Sequence, residues 1–287
     1  MRGTVSEAKV SHAIQEQAAT RLVRHVHVEP IYRALLRGDE EKAHLRFTEI
    51  ESLLTQRQYD RVIRSASRHD RLDFLRRHVD DRVSVQGKQI ALYAAAAWGQ
   101  MQACKFWVLD GHVDVHAKPT RFKNPYPNIA LRHHHVDTAA FFFDIDRSLI
   151  EEPDGLWGDR PIHVVNIVNS AEGLALLARL HANLDSKTAK AWFHGGLHID
   201  AYRGYCNMGA DMLERGANPN VKDIWGRTPL DIATTFRQRK FARLLQNYDG
   251  VVSDHKINPH RSKNGLPAWQ RRRISYELYA REVSNPY

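Results

Sequence analysis

The chain has 287 residues, a formal charge of +9 and 43% hydrophobic residues, enough to bury one or two globular cores or one repeat array. Two cysteines, Cys104 and Cys206, exclude a disulfide framework and suit a reducing compartment. No run of about 18 uncharged apolar residues occurs and the first residues lack an apolar core of signal-peptide length, so a soluble, cytoplasmic chain without a membrane span is expected. The positive balance admits nucleic acid, acidic proteins and anionic membranes alike.

In chain order, residues 1–28 predict a helix from Ser6 to about Val26, with Ala13, Ile14, Ala18, Leu22 and Val26 near helical spacing. A helix pair follows: Pro30 to Asp39, then Glu41 to Leu54, the second helix carrying Leu45, Ile50 and Leu53 as core candidates. Val62, Ile63 and Ala66 line the next first helix, and Leu72, Phe74 and Leu75 its partner. Leu92 opens a clearer unit, Leu92 to Gln100, with Trp107 and Val108 in its second helix and Gly111 expected to close it. Lys118 to Pro127 is rich in Pro, Lys and Asn and reads as a long loop, after which Ile129 starts a fourth unit. Ile162 starts a fifth, with Leu174 and Leu177 in its second helix. Leu197-His198 starts a sixth, with Ala201, Gly204, Met212 and Leu213, and Leu230 starts the last.

The clearest punctuation lies in Gly216-Ala-Asn-Pro-Asn-Val-Lys-Asp-Ile-Trp-Gly-Arg-Thr228-Pro229-Leu-Asp-Ile-Ala233. Gly216 suits a left-handed residue closing a helix, because it has no Cβ to clash there. Thr228 can cap the next helix, with Pro229 at the first helical position, where a missing N–H costs nothing. This passage resembles the ankyrin-repeat signature, which recurs at about 33 residues. The start positions Ile31, Val62, Leu92, Ile129, Ile162, Leu197 and Leu230 step by 31, 30, 37, 33, 35 and 33. The resemblance implies an all-α ankyrin-repeat solenoid of six to seven helix-turn-helix units over residues 29–248. Residues 1–28 would be a helical N-terminal cap and 249–287 a basic C-terminal appendage with a polar linker and a helix near its end. From Val251 to Tyr287 seven Lys or Arg face three Asp or Glu, and Arg271, Arg272 and Arg273 are adjacent there. That cluster suits a solvated helix start, a nuclear-import patch or a nucleic-acid contact.

Several constellations invite chemistry. Phe141-Phe-Phe-Asp144-Ile-Asp146-Arg-Ser-Leu149 resembles the first motif of haloacid-dehalogenase-type phosphatases. That resemblance implies a strand, with Asp144 as nucleophile, Asp146 as acid/base and magnesium held between them. The surrounding helical ladder favours a degenerate repeat instead, and the phosphatase centre stands as the alternative. His133, His134 and His135 are adjacent, so their side chains diverge by about 100° on a helix and do not form a tetrahedral set by themselves. His163 and His198 occupy the position where, in ankyrin repeats, the ring braces neighbouring loops. No Gly-rich phosphate loop, nucleophile elbow or zinc-spaced Cys/His cluster is present, and no cofactor or metal is expected.

Five residues before Ile162, Leu197 and Leu230 stand Trp157, Trp192 and Trp225. In the resembled family this is the tip of the finger loop. An indole there either packs on a neighbour or meets a partner. With Arg160, Lys222 and Arg227 beside them, these residues are the candidate binding surface for another protein of acidic character. The family's usual work is protein binding, and a non-enzymatic interaction module or adaptor is the expected function. Such degenerate repeats also suit a microbial effector delivered into a host cell.

Overall fold

The computed structural model describes residues 28–119, 124–155, 157–188, 195–223 and 225–253. The predicted helices at the two ends, Trp192 and the Arg271–Arg273 cluster lie outside the described residues. Among the described residues there are fourteen α-helices and no strand. They fall into two compact units, Met1–Pro119 and Thr120–Tyr287.

The first unit holds α1 (Glu29–Arg37), α2 (Glu40–Ile50), α3 (Gln56–Arg68), α4 (Leu72–His78), α5 (Val85–Ala97) and α6 (Met101–Lys105), which runs into a π-helical turn at Phe106–Asp110. Consecutive helices pair as hairpins, with α1, α3 and α5 stacked in one layer and α2 packed on α4 in a second. Each first helix buries one apolar stripe, Ile31 and Leu35 on α1, Val62, Ile63 and Ala66 on α3, Leu92, Ala95 and Ala96 on α5. Within the second layer, Phe47 meets Phe74 edge-on with ring centroids 5.3 Å apart. Trp107 is fully buried, and its indole Nε1–H donates to the Ser67 hydroxyl at 2.8 Å. Gly87 is required by packing, because a Cβ there would stand 2.6 Å from the Asp60 carboxylate, which accepts the Ser84 hydroxyl at the start of α5.

One expectation fails here: Leu45 and Leu53 are exposed, since Ala43 and Phe47 take the inward positions of α2. Gly111 closes its helix as expected, with an ordinary right-handed φ of −79° after the π turn.

The second unit holds α7 (Tyr126–Arg132), α8 (Val136–Ile145), α9 (Pro161–Val168), α10 (Ala171–Arg179), α11 (Gly196–Arg203), α12 (Cys206–Glu214), α13 (Pro229–Thr235) and α14 (Arg239–Asn247). A 3-10 turn, Arg147–Glu151, follows α8. Here α7, α9, α11 and α13 stack as one layer and α8, α10, α12 and α14 as the other. Thr228 caps α13 by accepting from the Asp231 amide, Asp231 answers from its side chain, and Pro229 opens the helix. Gly216 lies in the left-handed region at φ 92°, just past α12. A Cβ on Gly209 would enter the Phe241 ring, so α12 and α14 pack at a separation only glycine permits.

One backbone regularity joins all seven hairpins. Between the first and second helix of each stands a left-handed residue: Gly38, Asp70, Gly99, His134, Asn169, Gly204 and Arg237, with φ between 56° and 82°. Counting seven back from each gives Ile31, Ile63, Leu92, Pro127, Ile162, Leu197 and Leu230. The expected starts Val62 and Ile129 are therefore out of register by one and two residues. Both are buried, which is why they read as starts, but α7 already opens at Tyr126.

The segment resembling a phosphatase strand is helical. Phe141, Phe142 and Phe143 lie on α8, with Phe142 stacked on Tyr126 at 5.6 Å. Asp144 is exposed, and Asp146 spends an oxygen accepting the Ser148 amide at 2.8 Å to start the 3-10 turn. His133 and His134 form the α7–α8 turn and His135 is the N-cap of α8. Among the described residues no group of three or more His, Cys, Asp or Glu side chains is placed to hold a metal ion, and no helix is long and apolar enough to cross a membrane.

Candidate functional site

The loops that precede α9 and α13, both in the second unit, are built around an aspartate at their base. Ahead of α13, Asp223 Oδ1 accepts the amides of Trp225 and Arg227, each at 2.9 Å, and its own amide donates to the Arg227 carbonyl at 3.0 Å. Gly226 turns the chain at φ 75°, a conformation that carries a steric penalty for residues with a Cβ. Asp223 Oδ2 then takes the Arg227 guanidinium at 2.7 Å in a nearly buried ion pair. The same guanidinium lies over the Trp225 ring at 4.5 Å. Trp225 remains 44% exposed at the apex of this rigid turn.

The loop ahead of α9 repeats the plan with one residue more. Asp154 Oδ1 accepts the amides of Trp157 and Gly158 at 2.8 Å, its amide donates to the Asp159 carbonyl at 2.9 Å, and Gly158 has φ 75°. Trp157 is half-buried, with its indole Nε1 inaccessible. Asp159 is buried beside this aspartate, and burial, then the Asp154 charge, pushes its carboxyl up from the usual carboxylate range. The Asn128 amide of α7 donates to the Asp159 carbonyl at 3.2 Å, tying the loop to the preceding hairpin.

Of the three expected basic neighbours, only Lys222 is exposed. Arg160 reaches sideways, its Nε donating to the Glu151 carbonyl at 3.0 Å and its Nη1 to the Lys187 carbonyl at 2.7 Å. Glu151 in turn accepts the Asn183 amide and the Ser186 hydroxyl, both at 2.8 Å. Arg160 thus joins successive loops, and Arg227 is neutralised by Asp223. The rim of three positive charges expected around the tips shrinks to one, because two of the guanidiniums are engaged inside the fold.

Of the two histidines read as braces, His198 does that work, accepting the Gly195 amide at 3.2 Å while reaching the Arg227 carbonyl of the next loop at 3.0 Å. His163 accepts the Arg160 amide of its own loop at 3.1 Å. The aspartates at the loop bases were partly legible, since Asp223 stands in the Asp-x-x-Gly spacing. Asp154 does not, because its loop is one residue longer. Asp200 carried no signal at all, and it is fully buried on α11 with neither carboxylate oxygen hydrogen-bonded among the described residues.

No protein-family model matches this chain, and no curated protein matches its sequence.

Proposed function

We propose that this chain is an ankyrin-type repeat protein that binds other proteins rather than transforming a substrate, working inside the cell and presenting its loop tips as recognition elements. The observation that carries the reading is Trp225. A large apolar ring is held at the apex of a turn whose backbone amides are consumed by Asp223, on a loop anchored to its neighbours by His198 and Thr228. Rigid aromatic residues of this kind lose little conformational entropy on binding and serve as anchors in protein interfaces. The family reading is supported by the recurrence of seven helix hairpins with a left-handed residue in each turn, and by the Thr228-Pro229 cap.

Parallel affinity captures with the intact protein and with Trp225→Ala, quantified by mass spectrometry, test the reading. A partner retained by the first and depleted about tenfold or more from the second is expected, a loss of roughly 1.4 kcal/mol or more. The unfolding midpoints of the two proteins should agree within a few degrees. Equal capture of every bound protein by both would remove Trp225 from the interface.

A further inference from the structure

The solvent side of α3 carries a row of arginines that nothing above uses. Arg57, Arg61, Arg64 and Arg68 are spaced four, three and four residues apart, so they form one continuous stripe opposite the buried Tyr59, Val62, Ile63 and Ala66. At 1.5 Å per residue the stripe is about 16 Å long. Like charges at this spacing repel, and each such pair costs a few tenths of a kcal/mol. Among the described residues no carboxylate pairs with Arg57, Arg61 or Arg64. The nearby acids are engaged elsewhere, Asp60 with the Ser84 hydroxyl at 2.6 Å and Glu29 with Arg33 at 3.2 Å. Partial burial, and then the charges of Arg61 and Arg68, push the Arg64 guanidinium below its ordinary value.

The Tyr32 side chain of the neighbouring α1 lies within the field of Arg61 and Arg64, its hydroxyl buried with no hydrogen-bond partner among the described residues. Guanidiniums without a counter-charge among the described residues are completed by a carboxylate or a phosphate oxygen. The chain's own undescribed ends are poorly suited to supply it. Residues 1–27 hold four Lys or Arg against two Asp or Glu, and residues 254–287 hold seven against three.

We infer that the Arg57–Arg68 face of α3 is a docking surface for an acidic, amphipathic segment of another protein. Its surroundings favour a protein over a nucleic acid. Leu36, one turn beyond Tyr32 on the same side of α1, is 62% exposed and offers aliphatic surface, which suits a leucine or valine better than a base. Trp98, 40% exposed, already has one ring face covered by the Arg68 guanidinium at 4.0 Å, which leaves that face no room to stack a nucleotide. Arginine, tyrosine and tryptophan together are the side chains that dominate binding energy at protein interfaces. Carboxylates spaced at one helical turn on the partner would meet the guanidiniums in sequence and bind them in a fork geometry. The surface belongs to the first unit and stands on its own charges, whatever the tryptophan loops bind.

Fluorescence anisotropy with the full chain tests this. The probes are a labelled 20-residue peptide of glutamate and leucine at helical spacing, the same peptide with glutamine for glutamate, and a 20-nucleotide oligothymidylate. The glutamate peptide should bind about tenfold or more tightly than the glutamine peptide, with affinity falling as salt rises. Arg61→Gln with Arg64→Gln should weaken it about tenfold or more, whereas Arg239→Gln with Arg243→Gln, exposed on α14, should leave it unchanged. The double variant on α3 should melt at or above the parent temperature, because it relieves repulsion. Should it melt lower, Arg57→Gln at the open end of the stripe provides a milder variant, with an expected loss of about threefold. Glutamate-peptide binding that is absent, or indifferent to these substitutions, would overturn the proposal. Tighter binding of the oligonucleotide through Arg61 and Arg64 would overturn it too and reassign the surface to single-stranded nucleic acid.

Discussion

His198 on α11 and Arg227 in the loop of the next hairpin are joined by a 3.0 Å hydrogen bond from the imidazole to the Arg227 carbonyl. Because His198 Nδ1 accepts the Gly195 amide, the proton resides on Nε2, and the neutral ring bridges two loops with both nitrogens satisfied. Burial lowers the His198 pKa to about 4, against the favourable pull of the Arg227 carbonyl. The unfolded chain takes up a proton near the ordinary histidine value of about 6.5, so between about pH 6.5 and 4 the unfolded state binds more protons than the folded one. The stability that His198 contributes is therefore intact above about pH 6.5 and declines as the pH falls towards about 4.

His198→Gln should be less stable than the parent at pH 7.5 by about 1–3 kcal/mol, the cost of leaving buried backbone groups poorly paired. At pH 5 the gap should shrink by on the order of 2 kcal/mol, since only the parent has a proton to exclude. Denaturant unfolding at the two pH values checks this, and a gap independent of pH would show that the ring is readily protonated in place.

Asp200 should behave in the opposite sense. Burial raises its carboxyl well above the ordinary value. Where the unfolded carboxylate is ionised and the folded one must hold its proton, stability falls as the pH rises above about 4. Asp200→Asn keeps the shape and removes the charge. It should raise the unfolding midpoint at pH 7.5 by several degrees, corresponding to about 1 kcal/mol or more, with little change at pH 4. An Asn variant less stable than the parent at pH 7.5 would mean that the ionised carboxylate is stabilised within the fold.

The two described loop tryptophans, Trp157 and Trp225, should separate in a stability measurement. Trp157 is half-buried and its alanine variant should lose about 2–4 kcal/mol. Trp225 is exposed, and its replacement forfeits chiefly the stacking with Arg227, about 0.5–1 kcal/mol. Urea midpoints of both variants, measured side by side, decide whether the two tips differ as their burial requires.

The first residues after α14 belong to the last hairpin rather than to a loose tail. The Val251 carbonyl accepts the Thr228 hydroxyl at 2.8 Å, the Val251 amide donates to Asn220 at 2.8 Å, and the Ser253 amide donates to Asp231 at 3.1 Å. A chain ending at Gly250 should thus unfold more easily than one ending at Ser253, by about 1–3 kcal/mol for three lost hydrogen bonds. Thermal melts of the two truncations compare them directly, and equal midpoints would show that these bonds are replaced by water at no cost.

Helix content, the hairpin period and the Thr228-Pro229 start were legible from apolar spacing and capping chemistry, because these depend on neighbours within one or two turns. Register was less so. Val62 and Ile63, or Pro127 and Ile129, serve equally well as apolar markers, and only the left-handed residues Asp70 and His134 decide between them. Three of those seven positions are glycine, Asp70, His134 and Asn169 are of types that tolerate the left-handed region, and Arg237 adopts it at φ 58°. Tertiary structure alone decided that Leu45 faces solvent, since Ala43 and Phe47 meet the opposing helix first. It also decided the charges. Arg160, Arg227 and the arginines of α3 are alike in sequence, but Arg227 finds Asp223 within its own loop and Arg160 finds the carbonyls beside it. No acid comes within reach of Arg61 or Arg64 among the described residues, because folding turns Asp60 towards Ser84 and leaves Glu29 with Arg33.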